Sequence, residues 1–510
     1  MRSLLLLVLA VLLSASLPAQ TIPQAARPDL VLNGTVEGKQ NNTHFEIPFT
    51  VPANIHRISV DFSYTGKEQK TVLNLGVEDP ERFRGNSGGN KSHFTISETD
   101  ATPSYLPGAI PPGTWKLLIS VPNIRPAETA HYHAEIRFNN PVEDESFTLH
   151  PLEEARRGYR GDLHMHTAHS DGSCLSQSGK KVPCPLFFTA QSAANRGLDF
   201  IAITDHNTGS QFNDERELQP YFDKLLLIPG REMTTFWGHF NIYGVTQFID
   251  YRAVAPDDTL SEPKGSHLDI NAILRDVRAK GGIASLNHAD SPTGELCMGC
   301  GWNPPFDIDM SLFTGIEVIN GGGAYLSSAD FWDRQLAREI TTGATLTAIG
   351  GSDNHNALFS PGHSGAIAWP TTVVEADNLS VPAILDGIRH GRVFIDLTAS
   401  HDKILDLSVQ NSSSHKQAIM GGALNASAGD DLVFTISLTG CPHSSVHIFL
   451  DGKESSALPT VTTPIAEPAT QQTLSFQWKT DGHPHWLRAE VRDSNQKLML
   501  VSNPIYIRVY

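Results

Sequence analysis

The sequence predicts an α/β barrel or sheet across residues 158–400, set between two all-β sandwich domains at 20–150 and 401–510. Three observations carry that reading. Short apolar runs alternate with amphipathic segments only in the middle of the chain, which is the βαβ pattern of parallel strands. Both flanks show short alternating strands between turns instead. The chain, at 510 residues, is also too long for one ordinary domain of roughly 150 residues.

The opening residues Met1-Arg2-Ser3, the apolar run Leu4 to Leu13 and the small-residue stretch Ser14 to Ala19 have the three parts of a secretory signal. A signal peptide over 1–19 with cleavage near Ala19 is therefore expected. The apolar run is shorter than the ~20 residues a spanning helix needs, and no later run is long enough. The first cysteine is Cys174, far from the cleavage point, which argues against a lipid anchor. The mature chain is expected to be exported, periplasmic or extracellular, with no membrane span.

In 20–150, Arg57-Ile58-Ser59-Val60-Asp61-Phe62 places Ile58, Val60 and Phe62 on one face. Trp115 to Val121 alternates in the same way after Pro111-Pro112-Gly113. In 158–400 the buried-strand runs are Phe200–Ile203, Leu225–Ile228, Gly282–Leu286, Gly315–Ile319 and Leu346–Ile349. Helical spacing appears over Leu186–Arg196, Ile270–Ala279, Phe331–Ile340 and Val381–Arg389. From 401 onward strand alternation returns over Val433–Leu438, Val446–Leu450 and Trp486–Val491.

The formal net charge of −17 argues against nucleic acid as the main partner, because phosphate contacts need clustered lysine and arginine. Small-molecule substrates fit better. Five cysteines in an exported chain suggest disulfides with one residue left over. Cys174, Cys184, Cys297 and Cys300 allow three pairings, and a structural zinc held by the four is the sharper alternative.

Chemistry concentrates in the middle domain. His164-Met165-His166 puts two imidazoles on one face of a strand, and Ser170-Asp171-Gly172 follows as a turn that can swing a carboxylate to the same place. Near other strand ends stand His206 in Thr204-Asp205-His206-Asn207, Glu232 in Gly230-Arg231-Glu232, and His239 in Gly238-His239-Phe240. His288 in Asn287-His288-Ala289 and the pair Asp353 and His355 complete the set. Strand C-termini of a parallel barrel converge on one mouth, so these residues can meet there and hold metal. His169, His363 and His390 read as ordinary surface or core histidines.

Asp162-Leu163-His164-Met165-His166-Thr167 with Ser170-Asp171-Gly172, Ile203-Thr204-Asp205-His206-Asn207, Glu232, Asn287-His288 and Ser352-Asp353-Asn354-His355 resemble the polymerase-and-histidinol-phosphatase (PHP) family of metallohydrolases. Gly230 to Thr235 with Gly238-His239 is similar to that family's exported, carbaryl-hydrolase-like branch. The resemblance covers about 158 to 400. It implies a distorted (β/α)7 barrel and two or three divalent ions. It further implies that His164, His166, Glu232 and Asp353 hold one ion, that Glu232 bridges to a second held by His239 and His288, and that Asp171, His206 and His355 hold a third.

Histidine and carboxylate donors suit zinc, manganese or iron. Such ions supply hydroxide near neutral pH and stabilise a developing oxyanion, so hydrolysis of a small-molecule ester follows. A phosphoester leads, with Arg231 as a bidentate contact to the phosphoryl group, or else in an ordinary salt bridge. Asp205 or Asp290 is a proton donor to the leaving group, or else orients a ligand histidine. Phe236, Trp237, Trp302 and Phe306 form an apolar wall at the mouth or pack loop against barrel. The alternatives are a carboxylic or carbamate ester hydrolase of the same fold, and a metal-stabilised binding protein. In either case the sandwiches are available for glycan or surface contact.

Overall fold

The computed structural model describes residues 27–252, 269–295, 297, 299–321, 328–340, 342–455, 461–462 and 471–509. The expected signal peptide lies outside them. The architecture is mixed α/β, rich in strands and sparing in helices.

Near the start of the chain two four-stranded antiparallel sheets share one core. One runs Leu30–Glu37, Thr129–Phe138, Arg57–Tyr64, His93–Ser97, and the other Thr43–Val51, Gly113–Asn123, Val72–Glu78, Phe83–Asn86. Alternation sends Trp115, Leu117, Ile119 and Val121 inward, where they meet Val60, Phe94 and Leu75. Ile58, Val60 and Phe62 are buried as expected, but Arg57 and Ser59 on the other face are buried too. The helix Pro141–Glu145 covers that face, and its Asp144 accepts a hydrogen bond from Arg57 Nε at 2.7 Å.

The central sheet orders its strands as Thr347–Gly351, Gly315–Asn320, Ile283–Leu286, Gly238–Tyr243, Leu226–Thr235, Phe200–Ile203, Arg157–Asp162, Thr371–Ala376, Val393–Asp396. It curls. Gly350 N donates to Thr372 Oγ1 at 2.8 Å and Thr372 Oγ1 donates to Gly350 O at 2.7 Å, tying two strands that are distant in the order. A parallel bridge between Asn354 and Met165 likewise ties the chain after Thr347–Gly351 to the chain after Arg157–Asp162.

Strict parallel alternation fails in two places. Leu226–Thr235 and Gly238–Tyr243 pair antiparallel because only Phe236-Trp237 connects them, and two residues can join only a hairpin. Thr371–Ala376 is antiparallel to Arg157–Asp162. The helices at Ile270–Ala279 and Val381–Arg389 begin and end as the spacing predicts. Each has a capping oxygen, Asp269 accepting from Ala272 N and Ser380 accepting from Ala383 N. Ile270, Ile273, Leu274 and Val277 are the buried stripe of the first.

No break in the sheet marks position 401. Val393–Asp396 pairs with Leu498–Ser502, so the central sheet continues through His485–Arg492 and Ser445–Leu450. A separate layer, Gln417–Ile419, Ile404–Asn411, Asp431–Thr439, Gln472–Lys479, packs on it, and Val373 and Phe394 share that core. No helix among the described residues is long and apolar enough to cross a membrane.

Cys174 pairs with Cys184, and Cys297 with Cys300. Cys441 belongs to neither disulfide and is buried, which raises its thiol to about 11.

Candidate metal centre

Beyond Asp162 the chain stays extended, so Leu163 and Met165 enter apolar clusters while His164 and His166 turn to the opposite side. There they meet Glu232, which lies inside the long strand Leu226–Thr235. Glu232 is the hub. Its Oε2 lies 3.4 Å from His164 Nε2, 3.4 Å from His166 Nε2 and 3.0 Å from His206 Nδ1. Its Oε1 lies 3.2 Å from His239 Nδ1 and 3.5 Å from His288 Nε2, and accepts from Asn287 Nδ2 at 2.9 Å. Asp353 Oδ1 reaches His164 Nε2 at 3.3 Å and His166 Nε2 at 3.2 Å. At the open end Asp171 Oδ1 lies 3.3 Å from His355 Nε2 and 3.8 Å from His206 Nε2.

All nine sequence-predicted ligand candidates are thus brought together. Four groups of their donor atoms are close enough to hold an ion: His166, Asp171, His206, His355; His164, His166, Asp353; His164, Glu232, His288; and His206, Glu232, His239. His239, on the hairpin strand opposite Thr234, groups with His206 and Glu232, and it approaches the same Glu232 oxygen as His288.

The donor set fits divalent cations on two counts. His164 Nε2, His166 Nδ1, Glu232 Oε2 and His239 Nε2 are buried without a hydrogen-bond partner, a state that a folded interior does not leave uncompensated. Two ligands each ~2.1 Å from one tetrahedral ion stand ~3.4 Å apart, and the four histidine–carboxylate pairs that His164 and His166 make with Glu232 and Asp353 are 3.2–3.4 Å long. Several rings also have their second nitrogen engaged, which sets which nitrogen faces the cluster. His288 Nδ1 donates to Cys300 O at 3.2 Å and His355 Nδ1 to Asp353 O at 2.9 Å. His206 differs: its Nδ1 lies between Thr234 Oγ1 at 2.6 Å and Glu232 Oε2 at 3.0 Å, and its Nε2 faces Asp171.

Burial would push the Glu232 carboxyl up, but His164 foremost, with His239 and His288, holds it well below its ordinary range. Asp353 is depressed by His164 and His166, again against burial. His164 rises well above its usual value despite burial, driven by Asp353, Glu317 and Glu232. His206 goes down, since burial outweighs Glu232 there. Where Asp171 meets His355, the carboxyl drops to about 2 and the imidazole rises to about 9, both against burial. These directions favour protons on His164 and His355 opposite the carboxylates, and a cation taken up there would compete with those protons.

Arg231 does not reach the cluster. It neighbours Glu232 on a strand, so its side chain leaves by the opposite face, donates to Val245 O and Gln247 O, and lies over the Phe212 ring. Burial there lowers its guanidinium to about 10, against the pull of Asp276. Asp205 is likewise not a free proton donor. Its Oδ1 accepts from Thr167 N at 2.8 Å and Ser170 Oγ at 2.5 Å, and its Oδ2 from Thr167 Oγ1 at 2.6 Å, so it shapes the turn that carries Asp171. Asp290 lies 3.7 Å from Arg334 in a surface pair. His169 bonds Ser210 and Asp214, His363 stacks on Phe359 and His390 pairs with Asp386, as ordinary histidines do.

Trp237, Trp302 and Phe306 pack against the core, whereas Phe236 at the hairpin tip is 79% exposed. Both disulfides border the site. Cys184 N donates to Gly172 O beside Asp171, and Cys300 O holds His288. Sequence reasoning missed Glu317, Asn320, Asn287 and Thr234. A carboxylate inside the otherwise apolar run Gly315–Ile319 was the available signal for the first of them.

No protein-family model matches the chain. It is 25% identical over 166 residues to an uncharacterised protein of Methanocaldococcus jannaschii, a span of 32% of this chain and 81% of that one. It is also similar to the crystal structure of a Bifidobacterium adolescentis protein provisionally named a metal-dependent phosphoesterase. The identity there is 16%, the coverage 45% of this chain and 94% of the other, and the TM-score 0.27.

Proposed function

We propose that this chain is an exported metal-dependent hydrolase acting on a small-molecule phosphoester. In this reading the curled central sheet is a distorted PHP-type barrel, the flanking sheets are β-sandwiches, and two or three divalent ions occupy the cluster. The observation that carries it is Glu232: a buried carboxylate with five imidazoles within 3.5 Å and one oxygen lacking any hydrogen bond. Bound divalent ions would activate water near neutral pH and neutralise charge on the substrate's oxygens.

The chain's own residues supply the rest. Glu232 joins the inner histidines to His206, so one carboxylate spans neighbouring donor groups. His164 and His166 are buried, which excludes bulk water from the inner end. The Asp171 side chain at 57% exposure and His355 at 39% leave the outer end open for substrate. That openness speaks against metal held only for structure, where ligands usually close the coordination sphere.

A carboxylic or carbamate ester is the second reading, and the position of Arg231 favours it. Its guanidinium leaves by the opposite face of the strand, and among the described residues no lysine or arginine ion-pairs with Glu232, Asp353, Asp171 or Glu317. One polarised carbonyl would need none.

Metal analysis together with chromogenic phosphomonoester, phosphodiester and carboxyl ester substrates, on wild type and His166→Ala, tests both. Metal-dependent turnover of a phosphoester that His166→Ala abolishes is expected. Turnover of carboxyl esters alone overturns the phosphoester assignment, and metal binding without turnover of any of them supports a binding role.

A further inference from the structure

Glu317 sits in the middle of the strand Gly315–Asn320, 1% exposed and surrounded by apolar neighbours on the same strand. A carboxylate in that position is costly unless every lone pair is used. Its Oε1 accepts from His164 Nδ1 at 3.1 Å. Its Oε2 accepts from Asn320 Nδ2 at 2.8 Å and from the His288 backbone N–H at 3.4 Å. The same Asn320 amide also donates to Asp353 Oδ2 at 3.3 Å.

These contacts lie behind the cluster. Glu317 bonds the Nδ1 side of His164, whereas Glu232 and Asp353 face Nε2 of the same ring. Both Glu317 oxygens are occupied, so it is not counted among the ion-holding donors. It touches the ring of one ligand, the backbone of a second and, through Asn320, the carboxylate of a third. Two of those three need external support: His288 has φ 26° and Asp353 φ 51°, left-handed conformations that a side-chain-bearing residue keeps only when its surroundings impose them. Gly351 provides the room, since a side chain there would collide with Glu317 Oε1 and His164 Cβ.

We propose that Glu317 and Asn320 form a positioning pair that fixes the His164 ring, the His288 backbone and the Asp353 carboxylate as one unit, so that neighbouring ion sites are built together. The inference rests on the metal-centre reading of the previous subsection. Held by Glu317, His164 keeps its proton on Nδ1 and presents Nε2 to the cation. Asn320 prevents Asp353 from rotating away.

The test is a zinc titration of wild type, Glu317→Ala, Glu317→Gln and Asn320→Ala against a chromogenic chelator. Metal content per chain, the melting temperature of the metal-stripped proteins and the His164 Nδ1–H signal in nitrogen-edited NMR are read alongside. Glu317→Ala is expected to weaken zinc binding by ~10–100-fold, with loss of that NMR signal, while Glu317→Gln restores part of the affinity. Asn320→Ala, which leaves the buried strand position intact, is expected to lower affinity by a smaller factor and serves if Glu317→Ala does not fold. Wild-type affinity in both Glu317→Gln and Asn320→Ala overturns the positioning role. A fall in the melting temperature of the stripped protein with unchanged affinity does the same. A wild type that binds no zinc, manganese or iron overturns the metal-centre reading itself and this inference with it. A wild type that binds metal but cleaves no phosphoester leaves positioning standing and fails only the substrate assignment.

Discussion

Two clusters of buried charge in this chain are built on opposite principles. Around Arg57 every donor has an acceptor: Nε on Asp144, Nη1 on Thr95 and Asp100, Nη2 on Asp100 and Thr246. Arg216, from the helix Gln211–Leu218, completes Asp100 and also donates to Glu143 O, which joins the first sheets to the central one. Asp100 is held far below its usual range, against burial, by Arg216 and Arg57. Around Glu232 the count does not close, and four buried donor or acceptor atoms remain over. Burial and charge are common to both clusters. What separates a clamp from a candidate reaction centre is whether the protein alone satisfies its polar atoms.

Removing the hub of each cluster should give opposite signatures. Glu232→Ala is expected to lower metal-dependent turnover by about 10³-fold or more, equivalent to ~4 kcal/mol of transition-state stabilisation, and to reduce bound metal by elemental analysis. The metal-stripped protein should unfold in urea only modestly below the stripped wild-type midpoint, because Asp353 and Glu317 still face the histidines that lose Glu232. Arg57→Ala is expected to cost about 3–5 kcal/mol of stability by removing the guanidinium between Asp100 and Asp144, which then keep, among the described residues, only Arg216 and His56 as ion-pair partners. Metal content and turnover of the fraction that remains folded should match wild type. A collapse of stability in the first variant, or loss of metal in the second, would erase the distinction.

Smaller changes sharpen it. The Cys174–Cys184 disulfide closes a sequence separation of 10 residues beside Asp171. Replacing both cysteines with alanine should cost about 2–3 kcal/mol in urea melts and raise KM more than it lowers kcat, since the rim rather than the inner ligands loosens.

The smallest effect expected is on pH. His93 is raised to about 9 by Asp61 and Glu143, against burial. Its folded value lies above the unfolded value of ~6.5, so its contribution is complete below that pH and is lost as pH rises through about 9. Urea midpoints at pH 6, 7.5 and 9.5 should fall in that order for wild type, with a shallower fall for His93→Gln. An equal slope in the two proteins would remove His93 as the cause.

The ligand candidates were legible because short-range spacing carries them. His164-x-His166 and Asp353-x-His355 share a face whatever the rest of the chain does, and a carboxylate or imidazole near a buried strand is conspicuous. The helices Ile270–Ala279 and Val381–Arg389 were legible from the spacing of their apolar residues. The helix Gln211–Leu218 was not, because its sequence, QFNDEREL, has no apolar stripe to show. Arg231 was misjudged for the reason Glu232 was found: adjacent residues on a strand face opposite ways, and their order does not say which face holds the site.

The sequence by itself determined which side chains could bind a cation, and that most of them would stand at the edges of buried strands, because ligand chemistry and strand alternation are local properties. Tertiary structure alone decided which donors share a space, that a hairpin sets His239 beside Glu232, that Glu317 stands behind His164, and that Arg57 is satisfied while Glu232 is not. Those outcomes depend on strand order, register and hydrogen-bond closure between residues tens to hundreds of positions apart. Local pattern carries no record of such pairings.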